Sequence, residues 1–173
     1  MDWTRALFDT IDIRSFSNVW YWIAIVVLWS SLSHWVLGVP FDLIMRAKRK
    51  KGEIEQDLID IVRVNVNRLL DIGRGSGTWL IGFVCCFVSS LGLMAIYYQI
   101  EMAQALLLMV VPVCCVGALS LRTARKIEQE AHDVEAMYKL LGAHRLWTQV
   151  IGMISIFVTA LFGMYHNVRV PDF

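Results

Sequence analysis

Two vicinal cysteine pairs, Cys85-Cys86 and Cys114-Cys115, are the residues of this chain best suited to chemistry. Four thiolates can hold zinc or an iron–sulfur cluster. If the chain reverses at Ile100, Cys85 falls level with Cys115 and Cys86 with Cys114. The local geometry opposes a cluster, because adjacent helical residues point about 100° apart. A vicinal pair cannot readily aim both sulfurs at one metal. Cys also behaves as a small hydrophobe. The same register sets Gly82 level with Ala118, and small residues let apolar helices approach closely. The expectation is a packing seam of Gly82, Cys86, Cys114 and Ala118, with no metal and no cofactor.

His34, among Ser30, Ser31 and Ser33, is the ionisable residue placed deepest in an apolar stretch. Such a residue is a functional candidate: it could ligate a haem, relay a proton or hydrogen-bond a neighbour. Haem b between helices needs a second axial histidine at matching depth. His144, His166 and His132 fall at the wrong levels, so structural hydrogen bonding is expected. Gly152, Ser155, Thr159 and Gly163 follow at three- and four-residue steps and form one small-residue stripe. Its partner helix could belong to this chain or another. Arg46, Lys48, Arg49, Lys50 and Lys51 can hold anionic headgroups, at about 1 kcal/mol each near a membrane surface. Gly73, Gly75 and Gly77 are not followed by Lys-Ser/Thr, so they are no phosphate loop. No nucleophile–base pair is suggested, and the chain is expected not to be an enzyme.

These residues must be positioned by long apolar elements. Residues 15–41, 75–100, 102–121 and 146–168 carry no Asp, Glu, Lys or Arg. A hydrocarbon core of about 30 Å takes about 20 apolar helical residues, and lipid demands that the backbone satisfy itself. The fold class is therefore all-α: one integral membrane four-helix bundle, residues 1–173, with spans near 17–39, 77–98, 102–121 and 146–166. The chain has 173 residues, is 57% hydrophobic and has a mean hydropathy of +0.56. Its net charge of +1 gives no reason to expect a nucleic-acid partner. The start lacks a basic region and a cleavage site, so the first window should remain as a span.

Between the spans, residues 53–72 read as an amphipathic helix through Ile54, Leu58, Ile61, Val62, Leu69 and Ile72, with Gly73 as its stop. Residues 126–141 read as a second one through Ile127, Ala131, Val134, Tyr138 and Leu141. Each could lie on the membrane or pack on its mate or a partner. Trp3, Leu7, Phe8 and Ile11 outline a short N-terminal interfacial helix. All but Arg5, Arg14 and Arg169 of the 16 Lys and Arg fall in the two loops that join spans one to two and three to four. Basic loops face the cytoplasm. That places the amphipathic helices inside and both termini outside, in the periplasm of a Gram-negative cell.

Several stretches together resemble a known family: residues 12–22 (Asp12 to Trp22), 33–42 (Ser33 to Asp42), 63–70, 120–126 and 144–152. It is a small family of alphaproteobacterial inner-membrane proteins, sometimes labelled a component of the SufBCD complex, the iron–sulfur scaffold machinery. The resemblance covers most of the chain. It implies a membrane-associated accessory role and transfers no catalytic residue. The reading that follows is a non-enzymatic inner-membrane accessory or scaffold subunit, in contact with lipids and with another membrane protein or itself. A redox or metal protein using His34, His144 or the cysteine pairs is one rival. A small oligomeric transporter or channel is another, weakened by the lack of charge in the spans.

Overall fold

The computed structural model describes residues 19–130 and 133–169. The N-terminal interfacial helix expected before Val19 lies outside them. The described chain is almost wholly helical, with six helices and one small hairpin. Helix α1 is Val19–His34, strands β1 and β2 are Trp35–Val36 and Val39–Pro40, and α2 is Phe41–Lys50. Then come α3 (Glu53–Gly75), α4 (Gly77–Ile96), α5 (Glu101–Glu130) and α6 (Val134–Arg169). Helices α4, α5 and α6 are long and apolar enough to cross a membrane, and α1 is a shorter apolar helix.

The first apolar window is not helical throughout. It ends as a helix at His34, and β1 pairs with β2 in antiparallel register, Val36 opposite Val39. Leu37 and Gly38 between them have φ of 50° and 77°. Positive φ at both central residues is the signature of a tight two-residue hairpin. Gly38 suits it, and Leu37 is strained there. The described α1 is thus about 24 Å long, and the span expected to 39 gives up its last five residues to the turn.

The basic run is a helix, not a loop. Pro40 stands before the first turn of α2, Ile44 and Ala47 are buried, and the five basic side chains point outward. Lys51 and Gly52, both with positive φ, turn the chain into α3. That helix starts at Glu53 as expected and runs through Gly73 to Gly75. Its buried face is Leu58, Val62, Val66 and Leu70, while Ile61 and Ile72 are exposed.

The second amphipathic helix is not one element. Helix α5 carries residues 126–130 as its end, and α6 begins at Val134. At 30 and 36 residues, these helices are about 45 and 54 Å long. Both therefore overrun a 30 Å core and continue past it. Their overhang, the hairpin, α2 and α3 close around one core that includes Val36, Ile44, Leu58, Ala124, Met137 and Leu141. Val134 and Tyr138 pack against it from the side. The two basic loops thus meet in a cap at one end of the bundle, with its own hydrophobic core.

Candidate functional site

At the end opposite the cap, α4 and α5 form the expected hairpin, with Leu91 and Ala95 against Ala103 and Leu106. Gln99, at φ 55°, and a bond from Gln104 Nε2 to the Ala95 carbonyl (3.0 Å) shape the turn. Near it, His166 Nε2 lies 3.4 Å from Glu101 Oε2.

Toward the cap the hairpin does not form the expected seam. Cys85, Cys86 and Cys115 are exposed thiols, and Cys114 is half-buried. A Cβ added at Gly82 would meet nothing within 4 Å, and Ala118 is exposed. The buried contacts of the hairpin gather near its turn, at Leu91, Ala95 and Ala103, and the end of α3 meets α5 only beyond Ala118, with Gly73 on Leu121 and Arg74 paired to Glu128 at 2.7 Å. Among the described residues no three His, Cys, Asp or Glu side chains converge as metal ligands. Overpacking penalties apply only where neighbours are close. Cys86→Leu is therefore expected to change stability by no more than about 0.5 kcal/mol. Replacing all four cysteines with Ala should leave a folded protein. Melting curves in detergent check both, and a large loss in Cys86→Leu would restore the seam.

The small-residue stripe of α6 is buried within the chain. Gly152, Ser155, Thr159 and Gly163 are all buried on α6. A Cβ at Gly152 would stand 2.8 Å from Trp29 Cε3, so only glycine admits the indole of α1. Ile25 and Trp29 are buried with Val116 of α5, flanked by Met109 and Ile151. The Tyr21 hydroxyl donates to the Ala105 carbonyl at 3.0 Å and shares a hydrogen bond with Thr159. Trp29 was not legible as the partner of the stripe, since seven tryptophans compete for that role.

His34 ends α1 as an exposed side chain with its ring edge toward Trp35. His144, by contrast, is 4% exposed. It sits in α6 two residues before the charge-free stretch, at the junction of bundle and cap. Its Nδ1 lies 3.3 Å from Thr123 Oγ1. The Thr123 hydroxyl already donates to the Leu119 carbonyl at 2.9 Å. That hydroxyl has one proton, so Oγ1 must accept and Nδ1–H must donate. Burial favours the uncharged ring, whose Nε2 then holds a lone pair.

A cavity of ≈ 450 Å³ opens beside this ring. Its polar wall is Asn65 and Arg68 from α3, Ser120 from α5 and His144. Leu32, Trp35, Ile72 and Val116 supply most of the apolar wall. Four helices and the hairpin contribute to it, across residues 32–144. The sequence marked His144 at this level and gave no sign of the other three polar residues.

Comparison with family models, curated proteins and solved structures finds no match.

Proposed function

We propose that the chain is a non-enzymatic accessory or scaffold subunit of a bacterial inner membrane, anchored by four apolar helices, with its recognition surface on the cap. One observation carries this reading. The cap closes a core of its own and still leaves Ile61 and Val64 of α3 exposed, at 40% and 64%. Residues three apart on a helix share a face. A helix that buries one side and keeps apolar residues on another offers a partner helix or groove its anchor points. The resemblance to the alphaproteobacterial family points the partner search to iron–sulfur scaffold machinery. The concentration of basic residues at the cap supports a cytoplasmic cap and periplasmic termini.

Two measurements test this. Reporter fusions at Phe173 should be active in the periplasm and silent in the cytoplasm. The protein purified in mild detergent should carry a stoichiometric partner that Ile61→Glu with Val64→Glu removes while the melting temperature stays put. Val134 and Tyr138 are unsuitable for this, because both pack against the cap core. A partner retained by the double variant, or no partner at all, removes the scaffold reading. A stoichiometric metal lost on replacing the four cysteines would move the assignment to the redox rival.

A further inference from the structure

The cavity beside His144 offers a defined set of contacts. Among the described residues Arg68 is the charged one on its wall, and no carboxylate lines it. An anionic group therefore meets no opposing charge there. The Ser120 hydroxyl spends its proton on the Val116 carbonyl at 2.9 Å, so its oxygen can only accept. His144 Nε2 likewise accepts, its Nδ1–H being committed to Thr123. Among the described residues the sealed polar atoms without a partner are Gln104 Oε1, Tyr138 Oη and Arg145 Nε. His144 Nε2 is not one of them, and the His144 side chain lines the cavity. The site thus pairs one cation with two acceptors that need hydroxyl donors, and Asn65 can serve either role. The remaining wall is apolar. Leu32 belongs to the last turns of α1, and Val116 to the charge-free part of α5, which places that wall at the boundary between bundle and cap.

We propose that this cavity binds one anionic phospholipid whose headgroup carries free hydroxyls, of the phosphatidylglycerol class. The phosphate meets the Arg68 guanidinium, and the glycerol hydroxyls donate to His144 Nε2 and Ser120 Oγ. The acyl chains leave along Leu32, Ile72 and Val116. Charge-assisted contacts to phosphate are the strong ones, and the two acceptors supply selectivity, because a headgroup without donors leaves them unpaired. The site does not rest on the scaffold reading: it is formed by different residues from the Ile61–Val64 surface.

The test uses the full chain, delipidated in neutral detergent and titrated with short-chain lipids while the melting temperature and tryptophan fluorescence are followed. Short-chain phosphatidylglycerol should bind saturably, one per chain. Phosphatidylmethanol of the same chains, which keeps the singly charged phosphodiester and has no headgroup hydroxyl, should bind about fivefold more weakly. Arg68→Gln should weaken phosphatidylglycerol binding about tenfold. His144→Phe should erase the preference over phosphatidylmethanol while binding still weakens on Arg68→Gln. Should that variant fail to fold, Ser120→Leu fills the cavity from α5 and should abolish binding. Changing Lys48, Arg49, Lys50 and Lys51 together to Gln should leave the saturable site intact. No saturation, or a site lost in the α2 variant and kept in Arg68→Gln, overturns the proposal. Competition by glycerol phosphate as strong as by the lipid would assign the cavity to a soluble phosphate ester and overturn the lipid as its occupant.

Discussion

Replacing Leu141 with Ala should loosen the cap while leaving the apolar helices packed. Leu141 and Leu58 are both fully buried, at 0% exposure, in the core shared by the hairpin, α2, α3, α5 and α6. A buried Leu→Ala change removes transfer free energy and leaves a cavity, at about 2–5 kcal/mol. The cap is a small unit, and small cores have little stability to spare. The loss should appear as faster hydrogen exchange and proteolysis across α2 and α3, with α4 unaffected. Leu58→Ala should behave alike. Because the two side chains share one core, the double variant should depart from simple additivity. Val64→Ala, on the exposed side of α3, is the control. Equal protection in Leu141→Ala and Val64→Ala would show that the cap core does not hold these elements together.

Gly152→Leu should push α1 off α6. Even a methyl group at this position stands 2.8 Å from Trp29 Cε3 and 3.1 Å from Cδ2. The indole is buried at 5% exposure between α6 and Val116 of α5, so it has little room to yield. Gly152→Ala is expected to cost about 1–3 kcal/mol, and Leu more. Trp29→Leu alone should cost about as much, through lost packing. Combining Gly152→Ala with Trp29→Leu should recover part of the loss, because the smaller side chain makes space for the new methyl. Melting temperatures of the four proteins give the coupling directly. Gly82→Ala is the contrast, since nothing lies within 4 Å of its Cβ position. A melting temperature unchanged in Gly152→Ala, or no recovery in the double variant, would remove Trp29 from the stripe.

The two glycines show where sequence reading stops. Gly82 and Gly152 both stand among small residues in apolar helices, at spacings that suit close packing. One is open on its outer side and the other admits an indole. Lipid tails are as apolar as a leucine core, so hydropathy does not distinguish a helix face turned to lipid from one turned to another helix. That choice came from where α1 packs, with Trp29 against Gly152 of α6 and nothing within 4 Å of the Cβ position at Gly82 of α4. The cysteine pairs fell on the losing side of the same choice.

The cap shows a different limit. The 126–141 periodicity was real, but it belongs to two helices. Ile127 near the end of α5 and Leu141 near the start of α6 face one core, so the apolar pattern carries over from one helix to the next. In α3, Ile, Val and Leu spread over a wide sector of the helix, and packing on the cap core buries Val66 and Leu70 and leaves Ile61 and Ile72 exposed.

What this chain's residues determined alone was local and additive: the all-helical class, the apolar stretches of α4, α5 and α6, the start of α3, and the collection of basic residues in two loops. Each follows from a run of neighbours, through apolar length, backbone self-satisfaction and charge. Only the tertiary structure decided the faces and the cavity. Asn65, Arg68, Ser120 and His144 are spread over three helices, and no local spacing relates them. They come together because α3 folds back across the overhang of α5 and α6. The hydrogen bond that frees His144 Nε2 depends on a threonine 21 positions away.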